Sequence, residues 1–175
     1  MKRFPSKILL TALFLLLSAC ITTTTQKQIE LNNLKSLITE WDNLTEATEV
    51  TEKEAEVGDA LDEFIARYST AAIDDQTVDM LASLTDNPQK SLFAVLFLGK
   101  IGPRAESAVP SLERALEAEW EKRQLKENNP PVTIYVGVQL VDVICHTLPK
   151  ITLEDASKNT ICAEMDRRRS PSKKP

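Results

Sequence analysis

Apolar residues recur at helical spacing along most of this chain. Ile29, Leu31, Leu34, Leu37, Ile38, Trp41 and Leu44 form one stripe, as i, i+3, i+4 spacing requires of an amphipathic helix. Residues 45–50 lack that periodicity and read as a connection. Thr51-x-x-Glu54 then resembles a capping box opening a second helix, which carries Val57, Ala60, Leu61, Phe64, Ile65 and Tyr68. Gly58 weakens that helix by about 1 kcal/mol relative to Ala without overturning the pattern. Asp74 or Asp75 can cap a third, with Val78, Met80, Leu81 and Leu84 on its apolar side.

Asp86-Asn87-Pro88 interrupts the pattern, with Asn87 placed as N-cap and Pro88 in the first turn of the next helix, expected over 89–101. Leu92, Phe93, Val95, Leu96, Phe97 and Leu98 make that helix apolar on most sides, which predicts a central position. Gly102-Pro103 ends it. Val109, Leu112, Leu116 and Trp120 mark another helix, with Pro110 tolerated in its first turn. After the breaker at 128–131, residues 132–148 are ambiguous. Their Val, Ile and Tyr content suits a strand, but their length exceeds the usual strand and predicts a helix. Thr152 is placed as the cap of a last helix with Leu153, Ala156, Ile161, Cys162 and Met165. The expectation is an all-α fold of about six to seven helices, either a short solenoid or a compact bundle, over 29–166.

The start of the chain follows a different rule. Lys2, Arg3 and Lys7 precede a short apolar run from Ile8, which ends in Ser18, Ala19 and Cys20. A positive flank, an apolar core too short to span a bilayer and a small-residue cleavage region describe a secretory signal peptide at 1–19. Leu17-Ser18-Ala19-Cys20 resembles the lipobox of bacterial lipoproteins. That resemblance implies lipidation of Cys20 and anchoring by several acyl chains, each CH₂ adding about 0.8 kcal/mol of membrane affinity. Ile21 in place of Asp implies the periplasmic leaflet of the outer membrane rather than inner-membrane retention. The Thr-rich stretch to residue 28 is then expected to be a disordered tether.

Charge sharpens the division. The whole chain carries -5, and loss of the leader's three basic residues leaves 18 − 26 = −8. Residues 30–86 hold 15 acidic and 3 basic side chains, whereas 87–175 hold 11 and 14. So acidic a front half argues against nucleic acid as a partner. With Cys20 lipidated, Cys145 and Cys162 remain as an even pair in a compartment that permits disulfides; two buried thiols are the alternative. The end of the chain, 167–175, is expected to be a disordered basic tail.

A second resemblance covers 96–116. Leu98-Gly99, Ile101-Gly102-Pro103, Ala105, Ala108-Val109-Pro110 and Leu112 are similar to a HEAT-like repeat of the PBS-lyase type, around 74–120 with its flanking helices. It implies close helix approach at Gly99 and Ala105, a sharp turn at Gly102-Pro103, and partner binding by shape along an extended face.

Catalytic signals are sparse. His146 is the single histidine and adjoins Cys145, but neighbours on a helix point about 100° apart. It is expected to be a partly buried structural residue. The carboxylates of Glu52, Glu54 and Glu56, Asp62 and Glu63, and Asp74 and Asp75 are numerous, with no apolar pocket signal beside them. No phosphate loop, nucleophile elbow or zinc motif is present, so neither cofactor nor metal is expected. Trp41 is expected in the core, while Trp120, within a charged run, is a candidate interface residue and Tyr135 a lesser one. The expected role is a non-catalytic, lipid-anchored scaffold or protein-binding module of the cell envelope. An immunity protein neutralising a periplasmic toxin is the alternative.

Overall fold

The computed structural model describes residues 6–128 and 140–169, with side chains placed over 23–125 and 140–168. Among these residues the regular elements are α1 (Ser6–Asn43), α2 (Ala47–Tyr68), α3 (Asp75–Ser83), α4 (Ser91–Ile101), α5 (Val109–Asn128), α6 (Leu140–Thr152) and α7 (Thr160–Arg169). Short 3-10 turns join several of them, and no strand occurs among the described residues. The fold is all-α. The ambiguous stretch is helical from residue 140 onward, and 132–139 lie outside the described residues.

Neighbour relations arrange the helices in two layers. α1 packs on α2 and α3, α2 on α4, α3 on α4 and α5, α4 on α6, and α5 on α6. The odd-numbered helices therefore make one layer and the even-numbered helices the other, with α7 closing the far end against α5. Between the layers lie Leu34, Ile38, Trp41, Val57, Leu61, Val78, Leu81, Val95, Leu98, Ile101, Leu112, Leu116 and Ile144, all buried. Trp41 is fully enclosed and meets Phe97 edge-on at 5.8 Å between ring centroids.

Local chemistry fixes the junctions. Asp74 caps α3, accepting from the Thr77 amide at 3.0 Å and from Lys35 Nζ at 2.5 Å, which ties α1 to the start of α3. Burial pushes its carboxyl up, but the bonds from Lys35 and Thr77 together hold it below its ordinary value. Gly102 ends α4 at φ 66, a conformation that a Cβ makes costly. Ala105 and Ala108 are wholly buried in the turn that follows. There Arg104 donates to the Ile73 carbonyl and pairs with Asp75, linking that turn to the start of α3.

Several expectations are corrected. Residues 21–28 are helical and continuous with α1 rather than a disordered tether. They contain neither Gly nor Pro, and Gln26–Glu30 and Gln28–Asn32 bond one turn apart, so helix propagates through them from its neighbours. Thr51 and Glu54 form no capping box. α2 begins at Ala47, Thr51 donates to the Ala47 carbonyl inside the helix, and Glu54 is buried. α4 starts two residues later than expected, with Asn87 accepting from the Gln89 amide in the turn before it.

Thr152 ends α6 instead of opening the last helix. Asn159 supplies that cap to α7 through the Ile161 and Cys162 amides. Leu153, expected in the core, is 77% exposed at φ 58. Residues 167–169 are the last turn of α7 rather than tail, because Arg167 and Arg168 both pair with Glu164 within the helix. Residues 170–175 lie outside the described residues.

Candidate functional site

α4 and α6 run side by side in the even layer, and glycine sets their spacing. A Cβ on Gly99 would lie 3.2 Å from both Cγ2 and Oγ1 of Thr147, so any larger residue requires Thr147 to give way by a few tenths of an ångström. Outside this contact lies a groove of about 500 Å³. Leu96, Gly99 and Val143 give it an apolar floor, and Lys100, Asp142, His146 and Lys150 stand around it. The groove has direction. Leu96 and Asp142 mark its beginning, and Lys100 and Lys150 occupy the end where α4 and α6 terminate.

On the same side, α4 presents two large apolar side chains to solvent, Phe93 at 36% and Leu96 at 41% exposure. Their exposure departs from the expectation that α4 is central on all sides. The helix is covered by α2, α3 and α6, and the remaining face has no neighbour among the described residues. Lys100 is held by Asp62 of α2 at 2.7 and 2.9 Å and lies 5.8 Å from the Phe97 ring centroid.

The residues singled out by sequence fall in separate places. Cys145 and Cys162 form a disulfide, with an S–S length of 2.03 Å and Cα atoms 5.5 Å apart, joining α6 to α7. The thiol of Cys145 is thereby consumed and forms no nucleophilic pair with His146. His146 is exposed on the groove wall rather than partly buried, since its position on α6 is turned away from the interlayer core. Trp120 does not stand free as an interface residue. It is half-buried on α5, with the guanidinium groups of Arg123 and Arg168 at 5.8 and 4.9 Å from its ring centroid, and so forms part of the joint between α5 and α7. Cys20 falls inside α1, and its side chain, like Tyr135, lies outside the described residues.

The abundant carboxylates are mostly spent on ion pairs: Glu56 with Lys53, Asp62 with Lys100, Asp74 with Lys35 and Asp75 with Arg104. Glu54 differs. It is 4% exposed, and its Oε1 has no hydrogen-bond partner among the described residues. Burial pushes its carboxyl up, opposed in part by the charge of Lys90. Lys90 is itself enclosed and donates to the Asp42 carbonyl at 2.5 Å. The indole N–H of Trp41 is also buried, with no hydrogen-bond partner among the described residues. This polar cluster sits where α1, α2 and the turn before α4 meet, away from the groove. No group of three His, Cys, Asp or Glu side chains suited to a metal occurs among the described residues.

No local signal could have revealed the groove, because Gly99 and Thr147 are 48 positions apart. The one available clue was a helix apolar on more sides than its neighbours can cover. Compared with known protein families, curated proteins and solved structures, the chain matches none.

Proposed function

We propose that this protein is a lipid-anchored module of the cell envelope that binds another protein without catalysing a reaction, and that it binds along the α4–α6 face. The observation that carries this reading is the open groove beside Phe93 and Leu96, two large apolar side chains left in solvent by an otherwise packed helix. Contiguous exposed apolar surface rimmed by polar residues is the kind that marks interaction sites, and here Lys100, Asp142, His146 and Lys150 form such a rim. Attachment through Cys20 rests on the lipobox-like Leu17-Ser18-Ala19-Cys20, and Ile21 in place of Asp favours the periplasmic leaflet of the outer membrane in this reading. The alternation of odd and even helices supports kinship with HEAT-like repeats, whose modules bind by shape along a face. Among the described residues no helix is long and apolar enough to cross a membrane.

Two measurements test it. Labelling with palmitate in cells should mark the wild type and not Cys20→Ser; label on both removes the anchor. Crosslinking in intact cells followed by capture of this chain should return one discrete envelope protein. Recovery of abundant outer-membrane proteins alone counts against a binding role.

A further inference from the structure

We infer that the occupant of the α4–α6 groove is an acidic, apolar-centred segment of a partner protein, laid along the groove with its carboxylates at the Lys100–Lys150 end. This rests on the protein-binding reading above and adds to it the chemistry and direction of the ligand.

Three features select that occupant. The floor at Leu96 and Val143 is apolar and accepts an aliphatic or aromatic side chain, with exposed Phe93 extending the same surface. The charges flanking it are separated along its length, Asp142 near one end and Lys100 with Lys150 at the other. Lys100 is shared with Asp62, whereas Lys150 is exposed at the end of α6 and, among the described residues, no acidic side chain pairs with it. A cationic end on a chain of net −8 after loss of the leader is a local reversal of charge, and such a reversal steers acidic segments in a chosen orientation. The same net charge opposes a second copy of this chain, whose overall field would repel the first. An acidic lipid headgroup would satisfy the lysines but leave Leu96 and Phe93 without a match.

The test places a photo-crosslinking amino acid, benzoylphenylalanine, at position 96 of the full-length protein in intact cells, and separately at exposed Ser36 on α1 and Glu117 on α5 as controls. The expected result is a protein adduct from position 96 at least fivefold stronger than from either control. Its mapped segment should contain an apolar residue flanked by Asp or Glu. Adding Lys150→Glu should lower the adduct at least fivefold while leaving the melting curve unchanged, because Lys150 is exposed. An adduct from position 36 or 117 but not 96 would keep a protein-binding role and overturn the groove as its site. An adduct at 96 that maps to a basic segment, maps to lipid, or survives Lys150→Glu would overturn the acidic ligand. No protein adduct from any of the three positions would overturn the binding role itself.

Discussion

The two ends of the helix stack are held by opposite means. At the first end, α1 and α2 span 38 and 22 residues and meet through Leu31, Leu34, Ile38, Trp41, Val50, Val57, Leu61 and Phe64, all buried. At the other, α7 has 10 residues, and its buried side chains are Cys162 and Met165. A helix that short is marginal alone, and two buried side chains with a half-buried Ile161 add little apolar contact. The Cys145–Cys162 bridge, the Asn159 cap and the stacking of Arg168 on Trp120 make up the difference. The larger interface, in turn, tolerates a defect that the smaller could not: an enclosed Glu54 with an unpartnered oxygen.

The largest expected effect tests the apolar end. Trp41→Ala should lower unfolding free energy by about 3–5 kcal/mol, the usual range for emptying a large aromatic site. Urea denaturation should show this loss with the disulfide intact and with it reduced. A loss below 1 kcal/mol would mean that the α1–α2 end does not depend on its core.

The covalent end comes next. Cys145 and Cys162 are 17 positions apart, so Cys145→Ser with Cys162→Ser should cost about 3 kcal/mol by loss of the loop constraint. Its footprint should be local. Hydrogen exchange in the variant should open α7 amides first while α1 and α2 keep their protection. Equal loosening of α1 and α7 would erase the contrast between the two ends.

Glu54 supplies a smaller, pH-dependent effect. Burial raises its folded pKa above the ordinary 4.5, so the folded protein takes up this proton more readily than the unfolded chain. Its contribution to stability is therefore poorest at neutral pH, improves as pH falls through the raised value, and levels off below the unfolded one. Asp74, held below its ordinary value, runs the other way and loses stability on acidification. Glu54→Gln leaves Asp74 untouched, so the difference between variant and wild type isolates Glu54. It should favour the variant by about 1 kcal/mol at pH 7, on the scale of an unsatisfied buried group, and vanish near pH 4. A difference independent of pH would show that the carboxylate carries no penalty.

How much of this was legible in the sequence varies with the range of the interaction. The stripe from Leu31 to Trp41, the Asp74 cap and the Gly102-Pro103 turn depend on residues within a few positions of one another, and the structure places them as expected. The disulfide was legible as a count, since setting Cys20 aside leaves one possible pair. Thr51-x-x-Glu54 misled because the motif does not show that α2 already begins at Ala47, which puts Thr51 inside the helix and leaves Glu54 in the core. The Thr-rich stretch misled because helix propagates across unfavourable residues when both flanks are helical. The groove was invisible because Gly99 and Thr147 come together only through packing.

The smallest effects compare the ends once more, through the residues that close their helices. Ser69 follows α2 at φ 69 and ψ 165, and Leu153 follows α6 at φ 58. Both occupy the left-handed side of backbone space, where a Cβ costs about 1–2 kcal/mol and glycine costs little. Leu153 also exposes most of its side chain and so gains little from burial in return. Leu153→Gly should therefore raise stability by about 1 kcal/mol, less the extra chain entropy that glycine brings to the unfolded state. Ser69→Gly should do the same at the other end. Thermal melts of both variants, with and without reductant, separate two cases. If the Leu153→Gly gain persists when the disulfide is open, the strain belongs to the end of α6 itself. If the gain disappears on reduction while that of Ser69→Gly persists, the bridge imposes the Leu153 conformation, and only the covalent end owes its backbone strain to a crosslink.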